Sequence, residues 1–295
     1  MPIKLTENFR AVFYAPFYAT QALGFYAREG VEVELRPSPA PAAAAADLLD
    51  GKIDLSWGGP MRVMKARDDD PNSSLVCFCE VAALDPFFLV GRGDPSTFRL
   101  TDLTRLRFAT VSEVPTPWLC LQQDLRDAGV DLARLRCLTH RTMSDNLEAL
   151  CKGDLDVAQL FEPYVSMALA SGAGRILYAA STRGPTVYTT FLTTRDSIAR
   201  NRTAFAAIVR AIRRMQAWLQ EHSADELATA VAPFFTGLAE ELLVSSLRRY
   251  HDAGLWAGRP EVSREGFARL AAILFSGGFV SRIYSYDDCV DQSLY

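Results

Sequence analysis

Long apolar runs are missing from this chain: none approaches the roughly 20 residues that cross a bilayer, so no membrane span is expected. An excess of positive charge is missing as well. Lys+Arg number 31 against 35 Asp+Glu, and a net charge of −4 lacks the basic face with which nucleic-acid binders track phosphates. The opening MPIKLTENFRAVFYAPF has no charged segment leading into an uninterrupted apolar one, and no small-residue cleavage site. The six cysteines (77, 79, 120, 137, 151, 289) do not make a disulfide framework. Cys77 and Cys79 are expected on one face of a strand, badly placed to bridge each other. Isolated buried thiols lean towards a reducing compartment. Gly/Ser-rich and Pro-rich linkers are absent, and the only biased tract is the helix-favouring alanine run 42–46. No Ser/His/Asp set, Walker loop or metal-spaced His/Cys cluster occurs, so no cofactor or metal is expected.

What is present is a pattern. The 295 residues, 49% hydrophobic and 22% charged, suffice for one large or two ordinary domains with a substantial core. Strand signals (IKLTENF, VEVEL, IDLSW, SSLVCFCEVAA) alternate with helix signals (YATQALGFYAREG, APAAAAADLLDG with a Pro/Ser start, PMRVMKARDD). DPFFLVGRGD then crosses over and the alternation restarts. RLRFATV, LRCLTH, LDVAQL and RILYAA read as strands; TPWLCLQQDLRDAG, MSDNLEALCKG and PYVSMALASG read as helices. After TVYTTFLTT the chain is almost wholly helical. Strands alternating with helices imply mostly parallel α/β sheets.

Two stretches make the same local move a hundred residues apart: LLDGKIDLSW at 48–57 and ALCKGDLDVAQLFEP at 149–163. In each, a helix stops near a glycine (Gly51, Gly153) that can take the left-handed backbone of a helix C-terminus. An Asp-flanked strand follows and ends in a polar or aromatic loop, SWGGP or LFEPY. Ligands of open parallel sheets bind beyond the carboxyl ends of strands. The expected fold is therefore α/β, with two α/β lobes and a ligand cleft between them.

FYAPFYATQALGFYAREGVEVEL, LLDGKIDLSWGGP and ALCKGDLDVAQLFEPYVSMALASGAG, in this order and spacing, resemble the NMT1/THI5-like group of type II periplasmic binding proteins. That group includes substrate-binding components of ABC transporters for sulfonates, nitrate, taurine and thiamine-pyrimidine precursors. The resemblance implies lobe 1 at 1–89 and 191–295 and lobe 2 at 90–190, with crossing strands near Leu89–Gly91 and Tyr188–Leu192. It also implies a helical tail packed on lobe 1 and hinge closure around the ligand.

Candidate site residues gather at strand ends. Tyr14 and Phe17, in the stretch matching the family's ligand-contacting loop, could flank a ligand; Phe13 and Phe17 at i, i+4 also fit a helical core stripe. Gly58 and Gly59 allow close backbone approach with Trp57 as a stacking surface, or form a tight turn with Trp57 in the core. Thr116 reads as an N-cap with Pro117 at the first helical position, and Trp118 follows; free N–H groups there suit an anion or carbonyl. His140 and Arg141 follow a strand, and Arg141 could pair with a carboxylate or sulfonate. Glu162 stands where the family often turns a side chain into the cleft, or else caps the next helix.

The sequence thus points to a solute-binding protein for an aminopyrimidine-like, sulfonate or aromatic carboxylate ligand, with an ABC permease as partner. An enzyme on the same fold is the alternative. Related pyrimidine synthases and desulfinases place a lysine and histidine, or a cysteine, where this chain has Gly58 and Arg62, or FYAPF. A ligand sensor is a third reading. Location is expected to be periplasmic if the chain is processed and cytoplasmic if it is complete.

Overall fold

A computed structural model describes residues 2–37 and 43–295. The Pro/Ser start expected for the third helix, at 38–42, lies outside the described residues. The chain runs β1 (Ile3–Thr6), α1 (Ala15–Ala22), α2 (Phe25–Arg28), β2 (Val33–Arg36), α3 (Ala43–Leu49), β3 (Leu55–Gly58), α4 (Met61–Asp69) and β4 (Leu75–Ala82). It continues through β5 (Phe88–Gly91), β6 (Arg107–Val111), α5 (Thr116–Asp127), β7 (Arg136–Arg141), α6 (Met143–Lys152), β8 (Val157–Leu160), α7 (Tyr164–Ala170) and β9 (Arg175–Ala179). Last come β10 (Thr189–Thr194), α8 (Arg195–Glu221), α9 (Ala224–Val231), α10 (Glu240–Asp252), α11 (Arg264–Ser276) and α12 (Tyr286–Cys289).

Two five-stranded sheets result, ordered β2-β1-β3-β10-β4 and β7-β6-β8-β5-β9. The topology is one plan used twice. β1 pairs parallel with β2 and β3, as β6 does with β7 and β8. The fourth strand of each order, β10 or β5, is antiparallel to both neighbours. It is also the strand by which the chain enters that sheet from the other.

The twin stretches are one device in both sheets. Gly51 (φ +68) and Gly153 (φ +82) turn the helix ends in the left-handed region, where a side chain would be strained. Asp54 then accepts from the Lys4 backbone N–H at 3.0 Å and returns its own N–H to the Lys4 carbonyl at 3.1 Å. Asp156 does the same with Arg107, at 2.8 and 2.9 Å. Each aspartate therefore sets the register at which the strand after the glycine joins the first strand of its sheet.

Four local expectations need correction. The helix read across YATQALGFYAREG is two, α1 and α2, broken where Gly24 takes φ +70. Cys79 has φ +57 at an irregularity in the β4–β10 pairing, and this extra residue breaks the alternation. Cys77 and Cys79 consequently enter different hydrophobic clusters instead of sharing a face. Thr116 is the first residue of α5, with Pro115 at the cap position. The chain passes between sheets at 83–87 and 180–188, so Leu89–Gly91 lie in β5 and most of Tyr188–Leu192 in β10.

One large apolar core joins both sheets, holding Trp57 and Phe78 of the first and Ala158 and Leu160 of the second, together with Phe17 of α1 and Phe161 just after β8. The helical tail packs on the first sheet's side, α8 against α1, α2, β4 and β10, and it also reaches across, α10 touching α7 and α11 touching α5.

Candidate functional site

The carboxyl ends of β1, β3, β6 and β8 open towards the boundary between the sheets. At the end of β1 the buried Glu7 fixes the following loop. It accepts from Arg10 Nη2 at 2.9 Å and from the Tyr18 hydroxyl at 2.6 Å, while Arg10 Nη1 reaches the Phe234 carbonyl at 2.8 Å. The loop thereby presents Phe9 and Phe13 to the second sheet. Phe161, at the end of β8, lies 6.2 Å from Phe9 and edge-on to Phe13 at 5.3 Å. Phe87 and Tyr188, from the two crossing segments, join the same cluster.

Two cavities are lined by segments that follow these strands. One, of about 910 Å³, is apolar and lined by Phe9, Met143, Phe161, Tyr164, Phe235 and Leu242 among others. The other, of about 650 Å³, lies between α3, α4 and the loop after β6, with Met61, Arg62, Lys65, Glu113 and Phe279 in its wall.

Polar groups without partners collect at the cleft end of the first sheet. Among the described residues, Asn8 Oδ1, Trp57 Nε1 and Thr189 Oγ1 are buried and unpaired. Their strands adjoin: Thr6 pairs with Ser56 and Thr190 with Gly58. Burial pushes the Tyr14 phenol up to about 12, opposed by the neighbouring Asn8 and Arg62 side chains. Burial holds the half-buried Arg62 guanidinium below its usual value, with Tyr14 acting the other way.

The ten residues expected from sequence do not form one constellation. Tyr14 lies at the cleft, 5.3 Å from Phe9, but is only 3% exposed. Phe17 is a core residue, its ring parallel to Trp57 at 4.5 Å, as helical spacing allowed. Trp57 is 1% exposed, with Tyr18 edge-on at 5.5 Å, so its faces are spent on neighbours and not open to a ligand. A Cβ on Gly58 would come within 3.0 Å of Leu192 Cδ1 and 3.3 Å of Arg62 Cδ and Nε, and one on Gly59 within 3.2 Å of the Tyr188 carbonyl. These glycines accommodate Arg62 and the crossing segment.

In the second sheet, Thr116 is half-buried and caps nothing. Trp118 packs against Phe108 and lines a separate cavity of about 350 Å³ beside Gly277–Phe279. His140 is exposed on an edge strand. Arg141 turns back along its own chain to donate to the Asp145 carbonyl at 2.9 Å. Glu162 is fully buried and committed: Oε1 accepts from Arg249 Nε at 2.6 Å, and Oε2 from the Ser166 N–H at 2.9 Å and the Ser246 hydroxyl at 3.1 Å. The capping alternative is the one realised, reinforced by a cation from α10.

The crossing segments carry their own fixture. Arg183 donates to Asp85 at 2.9 Å and, through Nε, to Asp124 at 2.7 Å, and Tyr178 also donates to Asp124. All three charged side chains are less than a tenth exposed. The Tyr250 hydroxyl accepts from the Glu162 N–H and donates to the Pro86 carbonyl.

Sequence reasoning missed Arg62, Asn8, Glu113 and Phe161. A cation two residues after a Gly-Gly-Pro strand exit was the available signal for Arg62; the others carried none. Among the described residues, no group of three or more His, Cys, Asp or Glu is placed to hold a metal ion, and no helix is long and apolar enough to cross a membrane.

A model of the NMT1/THI5-like family matches residues 12–225. YtlA of Bacillus subtilis (strain 168), provisionally named a binding protein, is 22% identical over 99% of this chain and 88% of its own. The periplasmic aliphatic sulphonate binding protein SsuA from Escherichia coli superposes with a TM-score of 0.78 at 18% identity, over 100% of this chain and 98% of that one. The ligand binding component of an ABC-type import system from Staphylococcus aureus does so with a TM-score of 0.76 at 14% identity, with the same coverage. At such identities these structures speak to the fold, which is that of the periplasmic binding proteins.

Proposed function

This chain belongs to the NMT1/THI5-like family, and from that premise we propose that it is the solute-binding component of an ABC importer. It captures a small organic molecule between its two lobes and presents it to a permease. The lobes are the units built on the two sheets, hinged at 83–87 and 180–188. The observation that carries the reading is the cleft itself. Strand ends of both sheets converge on it, and the segments after β1 and β8 line one of its cavities while those after β3 and β6 line the other.

Sulfonates, aromatic carboxylates and aminopyrimidines are the classes to test, because relatives of this fold bind sulphonates. Nucleophilic catalysis finds little support: Cys77, Cys79, Cys120 and Cys289 are buried, and burial pushes their thiols up. Thermal-shift screening should find a stabilising ligand. Small-angle scattering should then show a smaller radius of gyration with it bound, and the ligand should be recovered unchanged after prolonged incubation. Conversion to product would overturn the binding reading.

A further inference from the structure

Two non-glycine residues among those described take positive φ: Cys79 (+57), in the β4 bulge, and Val187 (+47). Val187 lies in the second segment by which the chain crosses between the sheets, two residues before β10. A β-branched residue is poorly suited to this region, because its Cβ crowds the following carbonyl. Such strain persists only where the surroundings over-determine the backbone.

They do so here. The Ala83 carbonyl, on the first crossing segment, accepts from both the Thr186 and Val187 N–H groups, at 2.8 and 3.1 Å. Arg269 of α11 donates to the Pro185 carbonyl at 2.6 Å, and Thr186 Oγ1 donates to that of Gly184 at 2.9 Å. Thr186 and Val187 are wholly buried. α11 also sets a steric stop: a Cβ on Gly266 would lie 2.8 Å from Val187 Cγ2, 3.1 Å from its N and 3.2 Å from the Thr186 N. Val187 is thus tied to both crossing segments at their closest approach. Rotation of one lobe against the other has to be absorbed by backbone angles at such positions.

We infer that Val187 is a spring in the hinge. The arrangement described here, with Phe9 and Phe13 of one lobe against Phe161 of the other, is the closed one, and it holds Val187 strained. Opening releases the strain, so the unliganded protein leaves this arrangement. The spring rests on the solute-binding reading for its purpose: a pair of lobes biased open keeps the cleft accessible, and a molecule touching both walls offsets the strain of closing. One left-handed side chain is enough to shift the balance about tenfold.

Val187 also shares an apolar cluster with Leu192, Phe267 and Leu270, so packing and strain have to be told apart. Val187→Ala and Val187→Gly both remove the branched methyls, but only glycine removes the Cβ and with it the strain. Small-angle scattering of the three unliganded proteins, fitted as mixtures of the closed arrangement and a more open one, reads the balance. The wild type should be mostly open, and Val187→Ala should stay within about threefold of its closed-to-open ratio. Val187→Gly should raise that ratio about tenfold. Equal ratios in the alanine and glycine variants overturn the spring, as does a wild type already closed. So does a glycine variant that melts well below the alanine one, since relief of strain favours glycine at this φ. Loss of the fold in both variants would make Val187 a packing residue and overturn it too. A protein that closes with Val187→Gly, yet is stabilised by no sulfonate, aromatic carboxylate or aminopyrimidine in thermal-shift screening, keeps the spring and loses support for the transport reading.

Discussion

Two buried carboxylates separate what a residue's type announces from what its surroundings make of it. Glu162 stands at a strand exit, where a ligand contact was expected, but all its acceptors are occupied by Arg249, Ser166 and Ser246. Arg249→Met should therefore cost about 3 kcal/mol in urea unfolding by stranding a buried charge, while affinity for any ligand found by thermal shift stays within about threefold of wild type. A large loss of affinity without loss of stability would restore Glu162 to the ligand site. Glu80 is the opposite case: one oxygen accepts from the Ser263 N–H at 2.7 Å, the other has no partner, and burial raises its pKa to about 7 despite that N–H and Arg259. Because the folded form holds its proton to higher pH than the unfolded chain, this group's contribution to stability falls as pH rises from about 4.5 to 7. Glu80→Gln should flatten that part of the profile, by up to about 3 kcal/mol between the two ends, as measured by urea titrations at pH 5 and 7.5.

Elements were more legible than residues. Apolar period and glycine stops marked nearly every strand and helix because those signals act within a few positions. What escaped depends on contacts from far along the chain. The bulge at Cys79 answers to β10 and to the Tyr295 hydroxyl that bonds its N–H. The repeated glycine–aspartate turn was visible as a pattern, but its purpose, an aspartate clasping the backbone at the start of the neighbouring strand, was not. Asp54→Ala and Asp156→Ala should each lose about 1–2 kcal/mol. The double variant should lose the sum within about 0.5 kcal/mol, since the two clasps share no partner. Strong coupling in chemical denaturation would argue against two separately registered sheets.

For the molecule as a whole, the charge group at the crossing segments decides how firmly the sheets are joined. Arg183 holds both Asp85 and Asp124 where water hardly reaches, and burial raises the Asp85 pKa even with Arg183 beside it. Arg183→Met should destabilise the fold by about 3–5 kcal/mol. The loss should be greater at pH 8 than at pH 5, because the Asp85 carboxyl, which burial already favours in its protonated form, then has to ionise without its counter-charge. A pH-independent loss would mean that the arginine's packing, not its charge, is what the crossing needs.

The shared strand order of the two sheets hides an asymmetry in time. Every strand of the second sheet lies between Phe88 and Ala179, whereas the first waits for β10 to fill the place between β3 and β4. Its β4 is bonded from far along the chain, by the Tyr295 hydroxyl. On a ribosome delivering residues in order, the second sheet is complete while the first still lacks the strand between β3 and β4. The lobe begun first is finished last, and the walls of the cleft come together only when the tail arrives.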